Sequence, residues 1–390
     1  MIAAVPASRV RRSGHALPFA ASAPLSIGTE IEVMLVHDTD GTPAAAAREV
    51  LGMLAVDGVD APVKAELTQS MVEITTRVHH DAAELGAELR GTAQTLAAHV
   101  ARLGLAVAGG GVHPFCDWNE QVIFPHPRFR RLAERYGYLA RQFAVYSQHV
   151  HLGCADGDEA LYLLHALGRY VPHLVALSAA SPYWRGIDTG FDCSRLNVVR
   201  AFPLSGHAPA IVHWRSFSRH IEDLYRSGVI ESLKDLYWDI RPKPELGTVE
   251  IRVCDSPLAI ATAADVVALL QTLARRLLRE RPALDLERLY LYYDVNRFRA
   301  ARYGFGAPWI DPARGIARPI ADAIVEMLDE LAADAAALGT GRALARLRGR
   351  AQACHNDAAW LRARVRRHNG SQATVGAIAR RWLEPVPEPD

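Results

Sequence analysis

The alternation of apolar and polar residues predicts several β-strands. Strands are expected at Leu25–Val36, Ser147–Cys154 and Thr248–Cys254, with a short buried strand at Leu105–Ala108 and a strand–turn–strand piece at Val63–Thr76. Because successive side chains of a strand point to opposite faces, each longer strand has one apolar and one polar face.

Apolar residues at helical spacing predict helices between these strands. Asp81 is the expected N-cap of the first helix, with Glu84 completing a capping box, and Pro172 is expected to break the third. Strands and helices do not alternate regularly, which predicts an α+β fold: an antiparallel sheet with helices packed on one face and a helical C-terminal part. The helical segments are Asp81–Leu103, Phe129–Phe143, Asp158–Ala180, Ala261–Arg281 and the chain from Pro319 onward.

The composition predicts a globular protein with a single catalytic domain at 25–390, after a loose tail at 1–24. The 390 residues are 50% hydrophobic and 22% charged, and the net charge of +1 gives no field that would attract nucleic acid or a lipid surface. No apolar run reaches roughly 18 residues, so no membrane span is expected. Five dispersed cysteines without a C-x-x-C pair predict neither a disulfide framework nor a structural zinc site, which favours the cytoplasm.

Ionisable residues form pairs at i and i+2 on three predicted strands, and a fourth segment adds two glutamates. Each pair lies on a single face of its strand, opposite apolar neighbours. One such pair is common on a wet sheet surface, but four groups together indicate a site. The residues are Glu30 and Glu32, His149 and His151, Glu250 and Arg252, and Glu66 with Glu73.

These residue types predict a metal–phosphate site. Carboxylates gathered on one face repel each other and need cations between them. Oxygen-rich ligand sets suit Mg²⁺ or Mn²⁺, and Mg²⁺ commonly shares the phosphate groups of a substrate. Arg252, beside Glu250, would place a planar cation where a transferred phosphoryl group needs charge stabilisation.

Other motifs support competing classes less well. Gly109–Gly111 follows a strand, but His113 and Pro114 come next, so neither a P-loop nor a dinucleotide-binding turn is completed. The His149-x-His151 pair is similar to that of zinc amidohydrolases, where it lies on the first strand of an eight-fold barrel. The strand–helix alternation of such a barrel is missing here, so a hydrolase is the weaker hypothesis.

Seven short stretches, in their order and spacing, resemble the bacterial carboxylate–amine ligases called glutamate–cysteine ligase type 2, from about Leu25 to near the C-terminus. Two residues depart from the family pattern: Ser147 stands where glycine often precedes Gln148, and Leu196 where proline is expected. Both bear on substrate specificity. The stretches are Gly28–Glu32, Gln69–Glu73, Gly110–Phe115, Gln148–Gly153, Ala179–Tyr183, Trp238–Pro242 and Gly247–Val253.

The resemblance implies a glutamine synthetase-like catalytic fold whose concave sheet face holds ATP and metal ions. It places Arg252 near the γ-phosphate as a catalytic and nucleotide-binding residue, beside Glu250. It also implies that Arg195 contacts substrate or phosphate and that Asn197 helps bind the nucleotide, while His149 supports the site or packs beside it. The implied metal ligands are Glu30, Glu32, Glu73, His151 and Glu250, with Glu66 as an addition.

The resemblance also implies an activity: ATP-dependent joining of a carboxylate to an amine through an acyl phosphate, with weak glutamate–cysteine ligation, Mg²⁺ (or Mn²⁺) as cofactor and a homodimer as the assembly. Two alternatives stay open: a guanidino-kinase-like phosphotransferase and a non-catalytic nucleotide-binding protein. Substrate contacts are expected from the loops Pro114–Arg131 and Tyr183–Pro209 and from parts of Asp294–Pro312. Candidate contacts are Arg128, Trp118, Arg185 and Trp214.

Overall fold

A seven-stranded antiparallel sheet lies at the centre of the protein in the computed structural model, which describes residues 16–59, 61–368 and 371–385. The strand order is β10-β11-β5-β1-β3-β2, and β4 pairs with the end of β1. Short two-stranded pairs lie outside this sheet. The strands are β1 Ile27–His37, β2 Val63–Ala65, β3 Met71–Thr75, β4 Leu105–Ala108, β5 Ser147–Gly153, β6 Tyr183–Trp184, β7 Ile187–Asp188, β8 Ser205–Gly206, β9 Tyr237–Trp238, β10 Ile240–Lys243, β11 Thr248–Asp255, β12 Pro308–Ile310 and β13 Ala317–Pro319.

Helices follow and separate the strands, and the chain after β13 is helical. Short 3₁₀ turns lie at Trp118–Glu120, Leu233–Asp235 and Gly304–Gly306. The α-helices are α1 Ala47–Val56, α2 Ala82–Ala101, α3 Pro127–Tyr136, α4 Tyr138–Gln142, α5 Gly157–Gly168, α6 Val171–Ser178, α7 Arg195–Arg200, α8 Trp214–Arg226, α9 Ile260–Glu280, α10 Leu286–Tyr303, α11 Ile320–Glu330, α12 Ala332–Leu338, α13 Gly341–Gln352, α14 Asp357–His368 and α15 Ser371–Arg381.

The two faces of the sheet differ in chemistry, as the alternation predicts. Ile31 and Val33 of β1, Val150 of β5 and Ile251 of β11 are fully buried in the main core, which also contains Leu89 of α2. The helices α2 and α9 pack on this apolar face and on each other. Burial of the apolar face fixes the strand register, because a slip of one residue would turn every apolar side chain to the other face. The acidic and basic positions are therefore held together on the opposite face.

Most predicted elements are confirmed, with differences at breaks and in the last third of the chain. Asp81 caps α2, its Oδ1 accepting from the backbone N–H groups of Ala83 and Glu84. The helix predicted at Phe129–Phe143 is two helices, because Gly137 has a positive φ of 57° between α3 and α4. In the segment Asp294–Pro312, parts of which were predicted as loop, the residues up to Tyr303 belong to α10. The helices α1, α7, α8 and α10 were not predicted, and α7 lies inside the predicted loop Tyr183–Pro209.

The N-terminal residues that the structure describes pack against the domain. The Leu17 N–H donates to Ser218 Oγ at 2.9 Å, and Trp214 Nε1–H donates to the Leu17 carbonyl at 2.7 Å. The Ala20 N–H donates to the carbonyl of Pro244 at 2.8 Å. The part of the expected tail at 16–24 thus makes contacts with the rest of the protein, and 1–15 lie outside the described residues. The division into tail and single domain stays a prediction.

Among the described residues, none of the helices combines the length and the apolar character that crossing a membrane requires. The five cysteines are free thiols.

Candidate active site

The strand register brings the polar pairs of the sequence next to one another. Glu32 of β1 lies opposite Glu73 of β3, and Glu30 of β1 lies opposite His149 of β5. On the other side of β5, His151 lies opposite Glu250 of β11. Residues predicted from four separate segments thus form one patch on the polar face of the sheet.

Two sets of acidic and histidine groups are close enough to share a metal ion. Ligand atoms of Glu30, His149 and Glu250 all lie within 4.8 Å of one another, as do those of Glu32, Glu73 and His149. His149 Nδ1 is 3.4 Å from Glu30 Oε2 and 3.7 Å from Glu250 Oε1. His149, which the resemblance placed in a supporting role, therefore lies at the centre of the cluster.

Ser147 determines which nitrogen of His149 faces the carboxylates. The Ser147 N–H and Oγ–H both donate to Glu32 Oε2, at 2.7 and 2.6 Å. Because the hydroxyl proton is used there, Oγ accepts from His149 Nε2–H at 2.8 Å. Burial, together with Arg252, lowers the pKa of His149, which favours the neutral ring. With its proton on Nε2, the ring can accept at Nδ1 from Arg252 NH1, which is 3.4 Å away. The departure from glycine at this position thus fixes a tautomer in the site.

Glu250 is held between two arginines. It is 1% exposed, and its Oε2 accepts from Arg241 Nε at 2.9 Å, while Oε1 accepts from Arg252 at 2.6 Å. Burial would raise the pKa of Glu250, but the guanidinium groups outweigh it and hold the pKa well below its usual range. Arg241 is buried as well, and its NH1 donates to the carbonyl of Leu236 at 3.0 Å. Glu250 therefore stays ionised, and it orients Arg252 at the edge of the cluster.

His151 has one committed and one uncommitted ring nitrogen. Nδ1 hydrogen-bonds to Thr248 Oγ1 at 3.0 Å. Nε2 is buried, has no hydrogen-bond partner in the part of the chain that the structure describes, and lies 3.8 Å from Glu30 Oε1. A metal ligand whose second nitrogen is oriented by a hydrogen bond has this arrangement. The residues present therefore fit a divalent cation beside Glu30.

Crowding of negative charge acts on the remaining glutamates. Burial, followed by the nearby Glu32 carboxylate, raises the pKa of Glu66 to about 7. Burial and the charges of Glu30 and Glu66 raise the pKa of Glu73 well above its usual range. Burial would raise the pKa of Glu30, but the neighbouring His149 and His151 side chains outweigh it and lower that pKa. The cluster without a cation therefore keeps protons that a bound cation would displace.

Without metal, the stability of the protein should depend on pH through Glu66. A carboxyl with a raised pKa in the folded state stabilises it fully below its unfolded pKa, and this contribution is lost as the pH rises. We expect the free energy of unfolding in EDTA to fall between about pH 4.5 and pH 7 more steeply for the natural protein than for Glu66→Gln. Urea unfolding across this range measures both curves. Parallel curves for the two proteins would contradict the prediction.

The cluster opens into a cavity of about 260 Å³. Aromatic side chains from other elements form much of its wall, including Phe129 and Tyr136 of α3 and Tyr237 of β9. A second cavity of about 240 Å³ begins at the end of the sheet and shares Glu30 and Lys64 with the first. His151 lines the second cavity. Two ligands could therefore approach Glu30 from two directions.

Arg195, predicted to contact substrate or phosphate, is bound to the protein itself. Its Nε donates to Asp255 Oδ1 at 2.7 Å, and its NH2 donates to the Val253 carbonyl at 2.6 Å. A bulge in β11 places Arg252 and Val253 opposite His149 alone. At 3% exposure, Arg195 secures this bulge rather than presenting its charge to the cavity. The geometry therefore supports a positioning role for Arg195.

The remaining candidates divide by position. Arg128 lines the cavity, whereas Arg185 is paired with Asp117 Oδ2 at 2.5 Å. Trp214 begins α8 and stacks on Phe217 with ring centroids 4.9 Å apart. Like Arg185 and Trp214, Asn197 and Trp118 do not line the cavity: Asn197 is exposed on α7, and Trp118 packs on Tyr138.

The model of "Glutamate-cysteine ligase family 2" matches residues 26–383. The chain belongs to this family. A "Putative glutamate–cysteine ligase 2" of Verminephrobacter eiseniae is 46% identical over 348 residues, covering 89% of this chain and 93% of that protein. The protein of the same name from Ralstonia pickettii is 43% identical, covering 95% and 99%. Membership confirms the family predicted from the seven stretches and supports a ligase.

Solved structures confirm the predicted fold class. The glutamate–cysteine ligase of Francisella tularensis, in complex with AMP, matches with a TM-score of 0.68 at 15% identity, covering 94% of this chain and 89% of that one. A bifunctional glutathione synthetase of Pasteurella multocida matches with a TM-score of 0.64 at 14% identity, covering 92% and 52%. The family member thus has the expected α+β, glutamine synthetase-like fold.

Two features of the site were not predicted from the sequence: the presence of Arg241, and the role of Ser147 in orienting Glu32 and His149. Arg241 and Lys243 form another i, i+2 pair on β10, and both line the cavity. That spacing was available in the sequence. The contacts of Ser147 were not, because they join β5 to a side chain of β1 that is 115 positions away.

Proposed function

We propose that this chain is an ATP-dependent carboxylate–amine ligase that forms an amide through an acyl phosphate. The observation that carries the proposal is the convergence of Glu30, His149 and Glu250 beside Arg252 on the polar face of the sheet. Family membership supports ligation as the reaction class. The AMP complex of the Francisella protein supports an adenine nucleotide as substrate.

The acidic cluster would hold Mg²⁺, or Mn²⁺, with His151 Nε2 as a nitrogen ligand and His149 Nδ1 available beside it. When bound, the ion supplies positive charge against phosphate oxygens. Arg252 keeps one edge of its guanidinium on Glu250 and lies at the cavity, where it can stabilise the charge of a transferred phosphoryl group. The proposed oxygen ligands are Glu30, Glu32, Glu66, Glu73 and Glu250.

The reaction divides into two displacements. The oxygen of the acid substrate forms a bond to the γ-phosphorus of ATP, and the bond from that phosphorus to ADP breaks. The amine nitrogen then bonds to the acyl carbon, phosphate leaves, and the amine loses a proton. Aromatic residues of the cavity wall, among them Phe143 and Phe202, would limit the access of water to the acyl phosphate.

Release of phosphate from ATP and Mg²⁺, screened over a matrix of acids and amines, tests this proposal. We expect phosphate and an amide, identified by mass spectrometry, only where one acid and one amine are present together. ADP without free phosphate would indicate the phosphotransferase instead. Nucleotide binding without turnover across the whole matrix would favour the non-catalytic alternative.

Glutamate and cysteine are the proposed first pair in this matrix, with weak activity expected. The relatives carry that activity in their name, and the family description carries it as well. We also propose a homodimer in the cytoplasm. Light scattering coupled to size exclusion and cell fractionation test these two proposals separately.

A further inference from the structure

The wall of the active-site cavity contains cations as well as carboxylates, and most of them are already paired. Arg241 and Arg252 bond to Glu250, at 2.8 and 2.6 Å. Lys243 Nζ lies 2.9 Å from Glu245. Lys64, which lines the same cavity, lies 3.8 Å from Glu73. These four charges belong to the internal network of the site.

Arg128 and Lys234 differ from the others. Both line the cavity, and among the described residues neither has a carboxylate within ion-pair distance. Arg128 is half-buried, and its guanidinium lies 5.8 Å from the ring centroid of Phe129. Arg128 is therefore partly withdrawn from water without an ion pair to compensate its desolvation, whereas Lys234 is exposed to solvent. The cavity therefore presents two positive charges that make no direct ion pair with any described carboxylate.

The protein holds these two side chains on linked and rigid segments. Lys234 lies on the 3₁₀ turn at Leu233–Asp235, where Ser232 Oγ accepts from its backbone N–H at 3.1 Å. NH1 of Arg241 also donates to the Lys234 carbonyl at 3.3 Å. Arg135 of α3, the helix that carries Arg128, lies 3.4 Å from Asp235 of the same turn. Two cations on connected segments make a preorganised pair.

The charges act on one another as well. Burial, then the proximity of Arg128 and Lys243, lowers the pKa of Lys234. An anion placed between the cations would relieve this repulsion, and oxyanions are the groups that guanidinium and ammonium donors bind best.

We propose that Arg128 and Lys234 form an oxyanion subsite that holds a carboxylate or phosphate group of a substrate inside the active-site cavity. In the proposed function the carboxylate cluster holds the metal ion. One cavity would then bind a cation at the carboxylates and an anionic group at Arg128 and Lys234. The subsite rests on the proposed function in that its natural ligand is the acid substrate or the nucleotide. The shared chemistry is that of a planar or tetrahedral oxyanion.

Calorimetric titration of Arg128→Gln and Lys234→Gln tests the subsite with three probes: L-glutamate, Mg·ADP, and inorganic pyrophosphate in metal-free buffer of low ionic strength. For the probe that occupies the subsite, we expect each variant to bind about ten- to a hundredfold more weakly, because a charged hydrogen bond is lost. Lys234→Arg, which keeps the charge, should restore most of the affinity. Arg130→Gln removes an exposed arginine of the same helix and should bind as the natural protein does.

The three probes identify the source of the oxyanion. Weaker binding of glutamate alone assigns the subsite to the acid substrate, and weaker binding of Mg·ADP alone assigns it to the nucleotide. If the natural protein binds neither but its pyrophosphate affinity depends on both cations, the subsite stands and the proposed function fails. Unchanged affinities in both glutamine variants, or no binding of any probe to the natural protein, would overturn the subsite, whatever the turnover assay shows.

Discussion

Replacing Glu30 by glutamine is expected to lower ATP turnover by about a hundred- to a thousandfold, because in the proposed function metal-based charge stabilisation worth several kcal/mol would depend on this carboxylate. Glu30 lies 3.4 Å from His149 Nδ1 and 3.8 Å from His151 Nε2, so it is the carboxylate shared by both histidines. The side chain is 26% exposed and forms no ion pair with any arginine among residues 16–59, 61–368 and 371–385. Glutamine keeps its volume, so the fold should survive.

The experiment compares kcat, Mn²⁺ affinity by electron paramagnetic resonance, and thermal unfolding for Glu30→Gln. Glu134→Gln, an exposed change on α3, provides the control with the same chemical substitution. Turnover close to that of the natural protein, with the metal still bound, would remove Glu30 from the proposed ligand set.

Replacing Glu250 by glutamine should abolish turnover and also destabilise the protein. The two arginines would lose their common counter-charge, and Arg241 is only 4% exposed. Removing one partner of a buried ion pair costs about 3–5 kcal/mol, because the other charge stays buried and uncompensated. Urea unfolding measures this loss of free energy, and the phosphate-release assay measures turnover at a temperature where the variant is folded.

A double variant separates the two effects. Glu250→Gln with Arg241→Gln removes both charges of the buried pair, so we expect part of the stability to return while turnover stays absent. If the single variant unfolds like the natural protein, the buried pair contributes little. If the single variant turns over ATP normally, Glu250 has no part in the reaction.

The sequence by itself determined which residues would share a face. The alternation in β1 assigns Ile31 and Val33 to the core and leaves Glu30 and Glu32 on the other side. Period-two alternation has this power because a strand directs neighbouring side chains to opposite faces, whatever lies beside it. The cap at Asp81 was equally predictable, since its bonds reach only two and three residues along the chain.

The tertiary structure decided which of these residues act together. Alternation does not show which strands become neighbours, so the central place of His149 between Glu30 and Glu250 could not be derived from it. Alternation also does not reveal the bulge in β11. At this bulge Arg195 donates to Asp255 and to the backbone carbonyl of Val253.

Charge pairing was decided at the same level. From the strand pattern alone, replacing Glu250 is predicted to affect activity but not stability, because its side chain faces a groove. Its bonds to Arg241, nine positions away across a turn, make it a stabilising residue too. Arg128 and Lys234, 106 positions apart, converge on one cavity only through the packing of α3 against the 3₁₀ turn. Pattern along a chain fixes faces, whereas the energy of a charge depends on its neighbours in space.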